Sequence, residues 1–565
     1  MMLRKKKTNN NTHLPWKFLT FLVIIVICSL MFLFSLRIYP PRVSKLKSNF
    51  ILTKVNDSLV VCNKSWLKRN SYNLWELYVD GSPYERGIKT GMLTKNLIYY
   101  QEMAFVNQIL KIVPSRSYLD LLKYFIAIFN RNLDTYIPAE NLQEMYGISQ
   151  FMSEKFSFIG TGYMRILNYH AAHDIGHALV NYKMVGCTSF VVKNEDSADS
   201  SLLIARNFDF YVGDEFAKNK IITFFKPDSG YKFMFVSWGG MIGVVSGMNE
   251  KGLTVTINAG TSDISYSVAT PISIVARNIL QYAGNIEESK KIAATFKTFV
   301  SESILIGSAA DNSAVIIEKT PYKQFIYSSS YDFLICTNHF QSDSFLTEKK
   351  NIENMLNSSS LYRYFRVKEL IFKNSPVSPT SAASIMRDKA GLQNADIGMG
   401  NEKSINQIIA HHSIIFQPAK LKVWISTSPY QIGPYLVYNL NKVFSDTFDI
   451  QKTATVYEPQ ETIKADTFLY SHQYKLFKFY TLCKDYIIIY TKYNSLGNIS
   501  DKKIYQFKKS NPDYYYTWQI VGNYYKSRKH YDEATKCYKH ALTLEISTLS
   551  DKKNIEKSIK ECLKK

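Results

Sequence analysis

In Val185-Gly186-Cys187-Thr188-Ser189-Phe190-Val191-Val192, a small residue, a thiol and two hydroxyls lead straight into an apolar, β-branched run. The run reads as a strand, which places the thiol at the strand's mouth. Cutting the Gly186–Cys187 bond would leave a nucleophilic thiol and a free α-amine on one residue. An α-amine titrates near ~7.7–8.0 and a cysteine thiol near ~8.5. The amine can therefore serve as the thiol's base at neutral pH. Alone, a cysteine on a strand reads as a small buried hydrophobe. The second apolar strand, Leu202 to Phe210, argues against that, because it carries Arg206 and Asp209. Side chains alternate faces along a strand, so residues three apart cannot share a face within it. The pair is expected at the strand's end, reaching the mouth where Cys187 stands. A guanidinium there favours the thiolate, a carboxylate can hold a protonated amine, and a structural salt bridge is the competing reading.

These residues belong to an ordered series. Gly186-Cys187-Thr188-Ser189 and Arg206-Asn207-Phe208-Asp209 are followed by Gly247-Met248-Asn249-Glu250-Lys251-Gly252-Leu253. Asn258-Ala259-Gly260 and Thr337-Asn338-His339-Phe340 come next, and Gly81-Ser82-Pro83-Tyr84-Glu85-Arg86-Gly87 lies upstream. From about residue 77 to 428 the chain resembles the penicillin acyltransferase family, related to choloylglycine hydrolases among the self-cleaving N-terminal-nucleophile enzymes. The resemblance implies a four-layer αββα sandwich, cleavage between Gly186 and Cys187, and a helical propeptide that becomes the smaller subunit. It also implies that Asn258 and Asn338 donate to an oxyanion and that Arg363 completes the polar site. Each asparagine ends an apolar strand, where closing a turn is the plainer role. Arg363 and Arg366 lie one helical turn apart, and a solvent-facing surface is the plainer reading there. In such a family the nucleophile's own amine is the base, which leaves His339 without a catalytic task. His411-His412-Ser413 is similar to the family pattern and has no derivable role.

The elements around these residues follow from periodicity. Helical patterning dominates 95–185. Strands are expected at 187–194, 202–210, 221–227, 233–238 and 253–258, then at 303–309, 313–319, 324–328, 333–337, 410–416 and 421–426. Helices are expected at 270–282, 286–299, 359–373 and 379–389. Pattern alone gives an α+β class. His170, His173 and His177 have a spacing that could ligate a metal, but the zincin glutamate is missing. They read as polar side chains near the cleavage loop, and neither a metal nor a cofactor is expected.

The 565 residues suggest two or three domains. The formal charge of +22 comes from scattered lysines, and the 40 tyrosines and 34 phenylalanines lie in apolar elements. This is a lysine-rich surface and not a nucleic-acid footprint. Seven irregularly spaced cysteines argue against a disulfide framework. A basic tail at 1–15 precedes an apolar run at 16–37, long enough for an uncleaved single-pass membrane anchor with the remainder on the extracytoplasmic side. Residues 38–76 read as a linker, 77–186 as the propeptide, 187–430 as the catalytic domain and 431–465 as a second linker. In 466–565, Trp518, Val521, Gly522, Tyr525, Ala534, Tyr538 and Ala541 fall on tetratricopeptide-repeat positions. That region is either a partner-binding groove or a helical cap docked on the enzyme.

The expected activity is thioester chemistry at Cys187 on the amide of an N-acylated, possibly lipidic, amine or amino acid, passing the acyl group to water or to another amine. Two other readings stand beside it. One is a catalytically inactive, membrane-anchored helical-repeat scaffold. The other is a Cys–His peptidase using Cys187 with His339 or His412, without self-cleavage.

Overall fold

The computed structural model describes residues 16–35, 38–44, 46, 49–112, 115, 124–179, 186–262, 268–493 and 496–565. The expected basic tail at 1–15 and the residue Val185 lie outside them. After α1 (Trp16–Ser35) come β1 (Leu52–Asn56), β2 (Leu59–Cys62), β3 (Ser65–Arg69) and β4 (Trp75–Gly81). The next elements are α2 (Pro83–Ile112), α3 (Ala139–Ser149), α4 (Gly162–Leu179), β5 (Thr188–Asn194), β6 (Ser200–Phe208), β7 (Ile221–Pro227), β8 (Phe233–Ser237), β9 (Ser246–Asn249) and β10 (Leu253–Ala259). They are followed by α5 (Ile272–Tyr282), α6 (Ile286–Thr295), β11 (Glu302–Ser308), β12 (Ser313–Lys319), β13 (Gln324–Tyr327) and β14 (Phe333–Cys336). Next are α7 (Lys349–Asn357), α8 (Ser360–Asn374), α9 (Pro379–Met386), β15 (His412–Gln417), β16 (Lys422–Ser426) and β17 (Tyr435–Asn439). The chain ends in α10 (His472–Lys492), α11 (Asp501–Ser510), α12 (Tyr515–Ser527), α13 (Tyr531–Ala541) and α14 (Leu549–Cys562).

The strands form two sheets. One has eleven strands in the order β1-β2-β3-β4-β7-β8-β9-β10-β11-β12-β13, and the other has six in the order β14-β5-β6-β15-β16-β17. Three apolar cores stack them with helices. Met234, Val236, Leu305 and Ile316 of the large sheet meet Val191, Ile204, Ile414 and Ile425 of the small sheet. On the large sheet's far face, Phe235, Val255 and Ile306 pack on Leu93 and Leu97 of α2 and on Val275 and Ile279 of α5. On the small sheet's far face, Phe190, Ala205 and Ile335 pack on Val367 and Ile371 of α8 and on Ala383 and Met386 of α9. The class is α+β, layered helix–sheet–sheet–helix, and the central strands bury both faces because each sheet is covered on both sides there, whereas the edge strands β1 and β13 are not buried.

Local chemistry sets the boundaries. Helix α2 starts with Pro83 at its first position, and Glu85 reaches back to accept from the Ser82 N–H (3.2 Å). The β9–β10 turn closes on Gly252 at φ +71, while Asn249 Oδ1 accepts from the Lys251 and Leu253 amides.

Three expectations are corrected. Residues 38–76 are not a plain linker: β1–β3 and the start of β4 lie there, and β4 pairs parallel with β7 from Trp75↔Ile221 to Gly81↔Pro227. Their apolar alternation feeds a sheet whose other strands lie far along the chain, so no local pattern announces the pairing. Residues 431–465 likewise hold β17, an edge of the small sheet. The single-pass membrane placement is overturned too, because among the described residues no helix is long and apolar enough to cross a membrane.

Helices α10 to α14 share a core built on Phe477, Tyr480, Phe507, Tyr515, Val521 and Tyr538, which also takes in Ile408. Asn511 exchanges hydrogen bonds with the Met399 backbone (2.9 and 2.8 Å), and Asn401 donates to Glu545 O (3.0 Å). These contacts are those of a docked cap. All seven cysteines are unpaired.

Candidate active site

Cys187 stands immediately before β5 and is 1% exposed. Strand β6 runs antiparallel beside it, with Ser189 opposite Arg206 and Thr188 opposite Asn207. Arg206 therefore sits within β6 and points between the sheets, while Asp209 lies one residue past the strand's end. The two residues share no strand face, as their spacing requires. Only Asp209 is at the end.

Arg206 donates through Nη1 to Val245 O (2.5 Å) and to Ser246 Oγ, and through Nη2 to Ile257 O and to Cys187 Sγ (3.7 Å). Carbonyls of the large sheet thus clamp a cation against the thiol, which favours the thiolate. Burial works against it and pushes the thiol up to about 11, with Arg206 opposing and Asp209 and Glu302 adding to the rise. Both carboxylate oxygens of Asp209 are buried without a hydrogen-bond partner. Burial raises that carboxyl to about 7 despite Arg363 and Arg206.

Arg363 is 2% exposed, so the solvent-facing alternative fails. It extends from α8 and donates to Cys187 O and Thr188 Oγ1 (both 2.7 Å) and to Asn338 Oδ1 (2.7 Å). Burial lowers its guanidinium to about 10, against the attraction of Asp209 and Cys187. Arg366 is buried as well and pairs with Asp388 (2.8 Å).

The two asparagines differ. Asn258 Nδ2 donates to Cys336 O (2.9 Å) and Thr337 O (3.3 Å) while Oδ1 accepts from Ser189 Oγ, so both amide hydrogens go to backbone carbonyls. Asn338 Nδ2 gives one hydrogen to Ala259 O (3.0 Å) and keeps a second.

Neither proposed histidine partner meets the thiol. His339 Nδ1 lies 2.9 Å from Ser360 Oγ and 3.1 Å from Thr337 Oγ1, and burial with Arg363 lowers it to about 4. His412 is separated from the thiol by Ser246 and Arg206. His170 has both ring nitrogens engaged, Nδ1 with Ile166 O (2.8 Å) and Nε2 with the Ile242 N–H (3.0 Å). The His173 and His177 side chains lie outside what the structure describes.

Gln407 escaped the sequence reading. Its Nε2 donates to Gly186 O (3.0 Å), while the Gly186 N–H donates to Asp209 O (3.1 Å). Gly186 is thus held at both its N–H and its carbonyl, and a side-chain N–H already sits on that carbonyl oxygen. No motif surrounds Gln407, and only tertiary structure brings it there.

Residues 192–428 match the family model described as acyl-coenzyme A:6-aminopenicillanic acid acyl-transferase. The chain is related to that family. Arg206, Asp209, Asn258, Asn338, Arg363 and Gln407 lie within the matched segment, and Cys187 lies five residues before it. The chain is 22% identical over 329 residues to an uncharacterised protein of Archaeoglobus fulgidus, covering 52% of this chain and 54% of that one. It is 23% identical over 273 residues to protein dcd1A of Dictyostelium discoideum, with coverages of 44% and 58%. It thus spans a little over half the length of these curated relatives. Similar solved structures include a Caenorhabditis elegans ortholog of N-acylethanolamine-hydrolyzing acid amidase, at 15% identity and TM-score 0.31, covering 41% of this chain and 93% of that one. A variant of the conjugated bile acid hydrolase of Clostridium perfringens is another, at 13% identity and TM-score 0.30, covering 45% and 93%.

Proposed function

We propose that this chain is a self-cleaving cysteine amidase or acyltransferase acting on the amide of an N-acylated amine. The observation that carries this reading is the pair formed by Cys187 and the unpartnered Asp209 carboxylate, next to a Gly186 carbonyl held by Gln407. In the first stage the thiol sulfur bonds to the Gly186 carbonyl carbon and the C–N bond to Cys187 breaks. The thiol's proton passes to the departing nitrogen. Water then cleaves the thioester, leaving a carboxylate on Gly186 and a free thiol on Cys187. Gln407 stabilises the oxyanion of this stage, a kind of contact worth roughly 3–4 kcal/mol. The new ammonium gives Asp209 the counter-charge it lacks.

In the second stage Cys187 attacks a substrate amide, and its α-amine takes and returns the proton. Asn338, with its spare N–H, is the preferred oxyanion donor over Asn258. Arg363 holds the Cys187 carbonyl and Asn338 in register. The acyl group leaves on water or on a second amine, and acyl transfer is the chemistry the matched family is named for. A small apolar cavity of ≈ 50 Å³ lined by Ile98, Phe105, Ile166, Phe210, Trp238 and Met241 includes the residue that follows Asp209 in the chain, and we assign it the first carbons of the acyl group. In domain terms, 77–186 is the propeptide, 187–430 the catalytic unit and 466–565 a helical cap.

The test is intact-mass analysis of the Cys187 fragment after incubation with a panel of N-acyl amines. A hydroxylamine-sensitive acyl adduct on Cys187, with release of the amine, is expected. A processed fragment that neither carries an adduct nor releases amine from any member of the panel refutes the reading.

A further inference from the structure

A second polar centre lies away from the cysteine. Between the start of β7 and helix α10 is a cavity of ≈ 400 Å³ lined by Asp214, Lys218, Lys220, Tyr430, Phe477 and Lys478, among others. Volumes of this size suit small organic ligands. Lys220 is 1% exposed, and among the described residues its amine has no carboxylate or carbonyl partner. Burial alone lowers it to about 7. Asp214, the one carboxylate among the lining residues, already accepts from Tyr430 Oη (3.2 Å). Lys218 pairs with Glu215, and Lys478 lies over the Tyr474 ring.

The charges of Lys220 and Arg206 both act on His411 and His412. Arg206 can only donate, and it donates to Ser246 Oγ. Ser246 Oγ lies 2.9 Å from His412 Nε2, and His412 Nδ1 lies 3.0 Å from His411 Nδ1. At the outer end His411 Nε2 is buried without a hydrogen-bond partner. Burial is the main reason both imidazoles stay neutral, and the charges of Lys220 and Arg206 reinforce it. A buried cation without a counter-charge is costly unless an anion joins it.

We infer that this cavity binds the oxyanion group of a small organic molecule, a carboxylate or a phosphate monoester, with Lys220 as its counter-charge. The site does not depend on the amidase reading, so either can fail without the other. The test titrates the full chain with sodium phosphate or sodium acetate against chloride at constant ionic strength. Two readouts are followed: the thermal midpoint, and carbamoylation of Lys220 by cyanate, which reacts with neutral amines. At saturating probe the midpoint rises by roughly 2–5 °C. Labelling of Lys220 falls at least tenfold while that of the exposed Lys218 is unchanged. In Lys220→Met the midpoint rise disappears. Protection by phosphate alone assigns a phosphate monoester, by acetate alone a carboxylate, and by both a general oxyanion site. No protection of Lys220 by either salt, or an equal midpoint rise in Lys220→Met, overturns the inference. The labelling arm needs no variant and decides the matter even if Lys220→Met does not fold.

Discussion

Asp209 is buried for a charge state that the uncut chain does not support. Its carboxyl is raised to about 7 in the fold, against a reference near 3.9 for a free aspartate. A folded value above the unfolded one gives stability that is full below about pH 4 and is lost as pH rises through about 7. In an uncleavable Cys187→Ala background, Asp209→Asn should therefore stabilise the precursor above pH 7, with the difference vanishing near pH 4. Denaturant melts at the two pH values check this, and an equal difference at both would contradict it. The thiol obeys a related rule: with Cys187 pushed up to about 11, processing should quicken with pH across the neutral and mildly alkaline range, as gel time courses will read. A rate independent of pH would count against thiolate attack. Several of these residues were readable in the sequence because Cys187, Asp209 and Asn338 sit in short motifs at strand ends, and Arg206 shares the motif of Asp209 from inside its strand. Arg363 was only half readable, since its helix turn mixes Arg with Tyr and Phe and does not show that the arginine points inward.

At the scale of elements, the site depends on how the helices fix its surroundings. Glu144 of α3 lies between Arg86 of α2 and Arg277 of α5, at 3.0 and 3.1 Å, all three fully buried. Burial pushes the Glu144 carboxyl up, and the Arg277 and Arg86 charges together outweigh it and hold it below its usual range. Glu144→Gln takes the counter-charge from Arg277, while Arg86 keeps Asp228 (3.5 Å), and should cost about 3–5 kcal/mol, measured by denaturant unfolding. A loss under ~1 kcal/mol would show the triad to be dispensable. The Gly186 segment is equally constrained, because a Cβ there would lie 2.3 Å from Gln407 Nε2. Gly186→Ala must displace that side chain, so it and Gln407→Ala should slow processing by a similar factor, of order 10²–10³. If only one of them slows it, Gln407 does not act on the Gly186 carbonyl. The strands from 188 to 426 except β9 were legible because β-branched and apolar runs end at Asn and Gly turns, while Ser246–Asn249 is too short and too polar to announce itself. Gln407 and Ser246 were not, because their partners are distant in sequence and only packing brings them together.

The whole molecule shares one core across the expected cut. Strand β4 precedes Cys187 and pairs with β7 after it, while α2 and α4 wall the apolar cavity together with Phe210, Trp238 and Met241. The two pieces should therefore elute together under native conditions and separate only in denaturant. This shared sheet was the part of the fold hidden from the sequence, since a parallel pairing of residues 75–81 with 221–227 leaves no local trace. The N-terminal apolar run was legible as a helix and misleading as a membrane anchor.

The most direct measurement is N-terminal sequencing of the larger fragment of the expressed chain, beside Cys187→Ala. The account predicts a fragment that begins at Cys187 in the unmodified chain and is absent from the variant. An unmodified chain that stays intact while it hydrolyses N-acyl amines would contradict the account at its centre.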